Sequence, residues 1–217
     1  MLAIGFLLAS GVFAALAVLV HWAFWWPAIS LFASFIVYCA SAPAAFMKRP
    51  DGTLPLYSWL LWWPLFVWQW IGHEWVRFLT KEPVANEVAP RLWVGRRPRA
   101  GELPANTAVV IDLCAELPAA REVATGRTYL TIPTLDARAP TPEQICEAVD
   151  VALANGGLVF VHCAFGHGRS ATVAAAIMVR RGDATLDDVE AKMKAARPKI
   201  GLNKGQRAAL AIASRTP

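Results

Sequence analysis

Two long uncharged, apolar runs open this chain, and they limit what it can fold into more than any other feature. The first extends from Leu2 to Val20 and the second from Ala28 to Met47. Each is close to the ~20 residues that an α-helix needs to cross the hydrocarbon core of a bilayer. The tryptophan-rich stretch 21–27 between them is typical of a membrane interface followed by a turn. We therefore predict a transmembrane helical hairpin over residues 1–50.

The residues around these runs argue against a cleaved signal peptide and give an orientation. No positively charged region precedes the first run, and a second run follows with no obvious cleavage site. Helices are therefore expected at roughly 2–22 and 28–47. Lys48 and Arg49 directly follow the second run, and positive charge favours the cytoplasmic side. We predict a multi-pass membrane protein, with membrane lipids as partners and its remaining domain facing the cytoplasm.

A third apolar segment, from Leu56 to Leu79, differs from the first two because it is rich in tryptophan. It is interrupted by Pro64 and ends in polar residues that include His73. Tryptophan prefers the membrane interface to the centre of the bilayer. We predict an interfacial or re-entrant tryptophan-rich helix and linker over residues 51–82, with a third full span as the alternative. His73, like His21, is expected to be a polar group at the interface.

The remainder of the chain has the composition of a soluble domain. The whole sequence carries 21 basic and 16 acidic residues, of which residues 1–80 hold three and two, so 18 and 14 lie beyond residue 80. A mildly basic domain held at a membrane is drawn to anionic lipid surfaces and anionic substrates. A basic isoelectric point without any meaning for partners is the alternative. The sequence has no lysine-rich run, so we expect no nucleic-acid partner.

Alternating strand and helix patterns over residues 83–217 predict an α/β domain with a sheet flanked by helices. The stretch 81–90 is expected to be a polar connector that leads into this domain. Thr141 and Pro142 form a typical helix start. The expected strands are 108–113, 128–132 and 158–162, and the expected helices are 142–154, 169–181 and 186–196.

One short stretch carries most of the chemistry. Residues 162–170 read His-Cys-Ala-Phe-Gly-His-Gly-Arg-Ser, after a predicted strand and at the start of a predicted helix. At that position Cys163 faces backbone N–H groups and the positive end of the helix dipole, which lower a thiol pKa from about 8.5 into the range of about 3.5–7.5. Gly166 and Gly168 allow the loop to curl so that its N–H groups converge on one anion.

Arg169 and Ser170 complete this arrangement. The planar guanidinium of Arg169 is able to grip two phosphate oxygens at once. The hydroxyl of Ser170 is able to donate a hydrogen bond to the sulfur, which helps the sulfur to leave when a phospho-cysteine is hydrolysed. The residues therefore predict a thiolate nucleophile in an anion-binding loop, and a buried cysteine beside a helix cap is the alternative.

The motif His-Cys-x-x-Gly-x-Gly-Arg-Ser resembles the signature loop of the protein tyrosine phosphatase superfamily, in its dual-specificity branch. The resemblance covers roughly residues 90–215 and implies the dual-specificity-phosphatase fold. It implies that Cys163 attacks phosphorus, that Arg169 stabilises the transferred phosphoryl group, and that an aspartate on a separate loop protonates the leaving oxygen. Asp136, on a predicted loop upstream of the cysteine, matches that aspartate. With Ser170, these three form the predicted catalytic set.

Other residues near the site have alternatives. Asp150 and Asp183 are rivals of Asp136, but both lie in helical or helix-end patterns. His162 is expected to support the loop from beneath, as the corresponding family histidine does. The predicted phosphate- and substrate-binding residues are Ala164, Phe165, Gly166, His167 and Gly168.

Two of these loop residues allow more than one role. His167 either contacts an anionic headgroup or fills an exposed loop position, and Phe165 either lines the mouth of the pocket or packs inward. Asp112, at the end of a strand, is expected to be structural. The remaining cysteines have no metal-ligand spacing, so we predict no metal and no cofactor, and we expect a reducing compartment. These cysteines are Cys39, Cys114 and Cys146.

The order of the parts favours a membrane-anchored phosphatase that acts on a phospholipid headgroup of the phosphatidylglycerophosphate or phosphoinositide type. The arrangement is similar to bacterial phosphatases in which a dual-specificity domain follows membrane helices, and this resemblance implies the bacterial inner (cell) membrane. A membrane-tethered protein tyrosine or dual-specificity protein phosphatase, with a phosphoprotein substrate, is one alternative. A membrane scaffold that only binds phosphorylated ligands is another. Because the predicted catalytic residues lie beyond residue 81, residues 1–80 are expected to be dispensable for the catalytic fold.

Overall fold

The computed structural model describes residues 2–80 and 82–215, and the chain begins with two antiparallel helices. Helix α1 comprises Leu2–Leu19, a 3-10 turn covers Trp22–Phe24, and helix α2 comprises Trp25–Ala40. The Ser10 hydroxyl donates to the Ala28 carbonyl at 2.8 Å and joins the two helices. By length and composition, α1 and the helical run from residue 22 to 40 are able to cross a membrane. The predicted helical hairpin is therefore confirmed.

The ends of the second helix differ from the prediction. Pro27 lies in the first turn of α2 and not in the connection. A proline is tolerated there because N–H groups in the first turn have no partner within the helix, so its missing N–H costs no helical hydrogen bond. The helix ends at Ala40, seven residues before the expected end. Ser41 adopts a left-handed conformation with φ of 51°, and Pro43 starts a 3-10 turn that ends at Phe46.

Helix α3 comprises Leu56–Leu79 and continues through Pro64, which was expected to interrupt it. A proline leaves the carbonyl four residues earlier without its helical donor. Here that carbonyl belongs to Leu60, and it accepts a hydrogen bond from Trp26 Nε1 at 3.0 Å. The prediction for His73 is also wrong, because this residue is 1% exposed on the inner face of the helix.

A five-stranded sheet forms the centre of the part of the chain that follows α3. Its strands are β1 Ala85–Ala89, β2 Leu92–Arg96, β3 Thr107–Cys114, β4 Thr128–Thr134 and β5 Leu158–Cys163. The order is β1-β2-β5-β3-β4, with β1 antiparallel to β2 and the other pairs parallel. The expected connector 81–90 is therefore wrong for the residues of β1, because their backbone groups pair with β2. Residue 81 lies outside the described residues.

Helices on both sides of the sheet complete the predicted α/β fold, which is confirmed. They are α4 Arg121–Ala124, α5 Pro142–Ala154, α6 Arg169–Arg181, α7 Val189–Ala196 and α8 Lys204–Ala213. Helix α5 starts with a capping box in which Thr141 and Gln144 exchange hydrogen bonds. Helix α7 begins three residues later than predicted. Strand β5 is central and almost wholly buried, so the residues after it lie at the middle of the sheet edge.

The N-terminal helices and the sheet domain share a hydrophobic core. Phe46, Trp62 and Leu65 from the N-terminal part pack in one cluster with Ala115 and Leu135 from the sheet domain. A buried ion pair lies beside this cluster, so residues 1–80 contribute contacts to the catalytic fold. The expectation that they are dispensable stays a prediction.

That ion pair joins Lys48 to Asp112, whose side chains are 0% and 1% exposed, at 2.6 Å. The ammonium group of Lys48 also donates to the carbonyls of Cys114, at 2.6 Å, and Leu117, at 2.9 Å. Lys48 therefore supplies the charge that Asp112 needs inside the domain. The prediction that Asp112 is structural agrees with this position.

Candidate active site

Cys163 is the last residue of β5, and the loop 164–168 connects it to the first turn of α6. Its sulfur lies 3.2 Å from the backbone nitrogen of Gly166 and 3.4 Å from the hydroxyl of Ser170. The cysteine is 4% exposed. The strand–loop–helix geometry predicted from the sequence therefore places the sulfur at the base of a tight loop.

Donors outside the loop 164–168 bind its carbonyl groups and hold the loop in an open shape, which we call the cradle. Arg197 donates from Nη2 to the Phe165 carbonyl at 3.0 Å and from Nε to the Gly166 carbonyl at 2.9 Å. The His167 carbonyl accepts from the backbone of Gly201 at 3.1 Å. In a planar trans peptide the carbonyl and the following N–H point in opposite directions. The N–H groups of residues 166–168 therefore face inward.

The first peptide of the loop is held in the same way by two donors. His73 Nε2 lies 3.1 Å from the Ala164 carbonyl, and the backbone N–H of Arg97 donates to the same oxygen at 3.2 Å. The N–H of Phe165 is thereby turned inward as well. Sequence reasoning missed both His73 and Arg197. Arg197 directly follows the predicted helix 186–196, and only the fold shows that it reaches back to the loop.

Gly166 is required by the close approach of the neighbouring strand. Its φ is +78°, and a Cβ there would lie 2.4 Å from the backbone carbon of Gly95. Only a residue without a side chain fits at this position. Gly168 is less constrained, since its Cβ would meet the flexible side-chain amide of Gln206 at 2.9 Å.

Opposing effects act on the Cys163 thiol. Burial by itself would raise its pKa, but the Arg169 charge and hydrogen bonds from Ser170 and Gly166 outweigh burial, so the pKa is lowered from its ordinary value. A lower pKa increases the thiolate fraction at neutral pH, and the thiolate is the nucleophilic form.

Arg169 is 2% exposed and is anchored by the carboxyl ends of two strands. Its Nη1 donates to Glu116 Oε2 at 3.0 Å and to the Thr134 carbonyl at 2.5 Å, and its Nη2 donates to Asp136 Oδ1 at 3.1 Å. Within the described residues, Nε of Arg169 has no hydrogen-bond partner and remains a donor for an anion in the cradle.

Glu116 is the residue that connects this arginine to the rest of the site. Its Oε1 accepts from the backbone N–H of Asp136 at 2.7 Å and from the hydroxyl of Tyr38 at 3.0 Å, and Oε2 accepts from Arg169. Sequence reasoning missed it. The available signal was an acidic residue between Ala115 and Leu117, directly after a buried strand.

Asp136 lies on the loop after β4, and its side chain is 44% exposed. This exposure and the contact with Arg169 leave its carboxyl group accessible beside the cradle, as the prediction requires. Its rivals lie elsewhere: Asp150 is an exposed residue of α5, and Asp183 follows the opposite end of α6 from Arg169.

His162 is 1% exposed and stacked on Phe160, with Nδ1 3.7 Å from Asp112 Oδ1. Burial lowers the pKa of His162 to about 4 although Asp112 acts in the opposite direction. The ligand atoms of Asp112, Cys114 and His162 lie within 4.8 Å of one another. The ammonium of Lys48 already pairs with Asp112 there, which accounts for this cluster.

The two loop residues with open roles have defined neighbours. His167 Nε2 lies 2.9 Å from Glu82 Oε2, so this side chain ties the loop to the start of the domain. Phe165 lines the mouth of a pocket, and its ring centroid lies 5.7 Å from that of His73. Phe165 therefore contributes to the pocket lining and His167 is bound by a carboxylate, and their roles in substrate binding stay predictions.

The pocket beside the loop has a volume of about 230 Å³ and a lining of mixed polarity. Arg169, Asp136 and Glu116 contribute charged groups to this lining. The N-terminal helices form most of the other walls, with residues from all three of them. These residues are Leu2, Phe6, Tyr38, Trp68, Gln69, Gly72, His73 and Val76.

Comparison with known proteins agrees with this geometry. Residues 92–215 match the family described as "Dual specificity phosphatase, catalytic domain". The chain belongs to the dual specificity phosphatase family. Dual specificity phosphatase 28 of Mus musculus is 32% identical over 131 residues, which cover 57% of this chain and 79% of the mouse protein. The predicted family is therefore confirmed, and this phosphatase is a phosphoric monoester hydrolase of the cysteine-based class.

Solved structures give the same fold. A putative mouse dual specificity phosphatase complexed with zinc tungstate aligns with a TM-score of 0.52 at 27% identity, covering 63% of this chain and 90% of the mouse chain. PTPMT1 in complex with PI(5)P aligns with a TM-score of 0.54 at 21% identity, covering 62% of this chain and 99% of PTPMT1. These alignments confirm the α/β phosphatase fold predicted from the sequence.

Proposed function

We propose that this phosphatase is anchored in a membrane and hydrolyses a phospholipid phosphate monoester of the phosphatidylglycerophosphate or phosphoinositide type. The observation that carries the proposal is the mixed lining of the pocket, in which Arg169 and Asp136 share one cavity with Leu2, Phe6 and Val76. A lipid fits this combination because its phosphate and its apolar part are covalently joined. A phosphopeptide would bring polar backbone groups against apolar walls, where they would lack hydrogen-bond partners.

The proposed reaction has two steps. The Cys163 thiolate attacks phosphorus, an S–P bond forms, and the P–O bond to the leaving group breaks while Asp136 gives its proton to the leaving oxygen. Water then attacks phosphorus, Asp136 takes a proton from it, and the S–P bond breaks with Ser170 donating to the departing sulfur. Arg169 and the inward N–H groups of residues 165–168 stabilise the charge on the phosphoryl oxygens.

The membrane part of the proposal rests on α1 and α2. Their outer faces expose large apolar side chains, such as Leu8 at 66% and Val18 at 73% exposure, and a bilayer would cover them. Leu2, Phe6 and Tyr38 line the pocket and all belong to one end of the hairpin. The catalytic pocket would therefore lie at the membrane surface, where lipid headgroups are found.

Orientation and division into parts belong to the same proposal. Arg49, exposed after the hairpin, favours a cytoplasmic catalytic domain at the bacterial inner membrane. We keep the division into a hairpin over 1–50, a tryptophan-rich segment over 51–82 and a phosphatase domain over 83–217. Helix α3 also exposes Trp70 and Trp75, which do not line the pocket, and this supports an interfacial position.

The experiment compares substrates at equal surface concentration. Full-length protein in anionic vesicles is tested for phosphate release from phosphatidylglycerophosphate, a phosphoinositide, phosphotyrosine and phosphothreonine peptides, and an aryl phosphate, with Cys163→Ser as the inactive control. We expect the highest kcat/KM on a lipid. Higher kcat/KM on a phosphopeptide would transfer the proposal to a protein phosphatase, and tight binding without turnover would indicate a scaffold. PTPMT1 forms a complex with PI(5)P, so the fold is compatible with such a ligand.

A matched pair of variants tests the apolar wall. Val76→Trp should fill the pocket and reduce lipid turnover about tenfold or more relative to aryl phosphate turnover, because the apolar part of the lipid loses its contacts. Val67→Trp, on the exposed face of the same helix, is the control and should leave the ratio unchanged. An unchanged ratio for Val76→Trp would contradict the lipid site.

A further inference from the structure

His73 is a buried histidine in a helix otherwise rich in apolar and aromatic residues, and the reaction described above gives it no role. It is 1% exposed, with Nε2 3.1 Å from the Ala164 carbonyl and Nδ1 3.4 Å from Glu74 Oε1. Its ring also lies against Phe165. Helix α3 therefore reaches directly to the first peptide of the phosphate loop.

The Ala164 carbonyl fixes an N–H that faces the phosphate position. It accepts from His73 Nε2 and from the backbone of Arg97. Because the peptide is planar and trans, holding this carbonyl outward holds the N–H of Phe165 inward. The Arg97 donor comes from the phosphatase domain itself, whereas His73 is supplied by the N-terminal segment. The cradle is thus completed by a residue outside the matched family region, which spans residues 92–215.

We propose that His73 is a positioning residue for the phosphatase reaction. By donating from Nε2 to the Ala164 carbonyl, it orients the Phe165 N–H toward the transferred phosphoryl group. The inference does not depend on whether the substrate is a lipid, but it rests on the Cys163 site of the proposed function. Its consequence is that the N-terminal segment takes part in the chemistry even for a small aryl phosphate.

The test compares two substitutions of equal length in full-length protein in detergent, with an aryl phosphate as substrate. In His73→Gln the amide nitrogen takes the place of Nε2 as donor, whereas His73→Met has no donor. We expect His73→Met to lower kcat/KM roughly five- to tenfold, the effect of one lost hydrogen bond, and to raise the inhibition constant of inorganic phosphate by a similar factor. His73→Gln should recover most of both losses. His21→Met, at an exposed histidine of the same segment, should change neither.

Two results would overturn the inference. One is a His73→Met protein with normal kcat/KM and normal phosphate inhibition, and the other is an equal loss in the Met and Gln variants. NMR of the histidine ring nitrogens in the unmodified protein needs no variant to fold: a proton on Nε2 supports the inference, and a proton on Nδ1 alone overturns it. Cys163→Ser distinguishes failure of the His73 inference from failure of the proposed function, because an active Cys163→Ser protein would refute the proposed catalytic site itself.

Discussion

Replacing Lys48 by methionine should destabilise the whole protein, although Lys48 lies outside the phosphatase family region. The substitution keeps the length of the side chain but removes the ammonium group from a pair whose side chains are 0% and 1% exposed. Breaking a buried ion pair by removing one partner costs about 3–5 kcal/mol, because the remaining charge is left without compensation. Two backbone carbonyls, of Cys114 and Leu117, lose their donor as well.

That loss is a large fraction of the total stability of about 5–15 kcal/mol that is usual for a folded domain. The measurement is urea unfolding of full-length protein in detergent, with Arg49→Met as a control at the neighbouring exposed position. The double variant Lys48→Met with Asp112→Asn should be more stable than Lys48→Met alone, because it no longer buries an unpaired carboxylate. A Lys48→Met protein within about 0.5 kcal/mol of the wild type, the range of ordinary surface substitutions, would refute this reasoning.

The pH dependence of the same variant has a defined sign. Burial alone would raise the pKa of Asp112, but the Lys48 charge, the neighbouring His162 and the hydrogen bonds from Lys48 and Tyr129 together outweigh burial and hold that pKa well below its ordinary value. Asp112 therefore contributes stability above its unfolded pKa of about 3.9 and loses it as the pH falls through the lower folded value. Without Lys48, burial raises the pKa of Asp112. Protonation of Asp112 then removes the unpaired charge, so the destabilisation of the variant becomes smaller. The difference in unfolding free energy between wild type and variant should be largest near neutral pH and should shrink in acid.

Three further variants test the proposed chemistry. Arg169→Lys should lower kcat about 10²–10³-fold, because an ammonium cannot bind two phosphoryl oxygens as the planar guanidinium does. Near-normal kinetics would mean that another residue stabilises the phosphoryl group. Asp136→Ala should slow alkyl phosphate turnover about 10²–10⁴-fold while sparing activated aryl phosphates, whereas equal losses would indicate a structural role. Ser170→Ala removes a hydrogen bond that lowers the pKa of Cys163, so the ascending limb of kcat/KM against pH should move to higher pH; an unmoved limb would contradict that role.

The strand–loop–helix containing Cys163 could be predicted because its signals are local. A buried run, two glycines, an arginine and a serine stand within a few residues of one another, and the resemblance added Asp136. The contributions of Lys48 and His73 could not be predicted in this way. In sequence, a lysine after an apolar run and a histidine among tryptophans have the appearance of membrane-boundary residues. Only tertiary packing brings them to Asp112 and to the Ala164 carbonyl.

The expected polar connector at 81–90 was wrong for a similar reason. The residues of β1 include Asn86 and Glu87, and their side chains give no strand signal. The strand forms because its backbone pairs with β2 at the edge of the sheet. In addition, Asn86 Oδ1 accepts a hydrogen bond from Arg197 Nη1 at 2.8 Å. A polar edge strand is a tertiary feature, since its partner strand determines whether it forms.

The most direct test of the central claim is to observe the covalent intermediate with a lipid. Full-length Ser170→Ala protein, chosen because breakdown of the intermediate should be slowed, is mixed with phosphatidylglycerophosphate in vesicles and quenched in acid during turnover. Mass spectrometry then locates any added phosphoryl group. We predict that the group is found on Cys163 and is absent from Cys163→Ser. A phosphoryl group on another residue, or one that forms with a phosphopeptide but with no lipid substrate, would contradict the account.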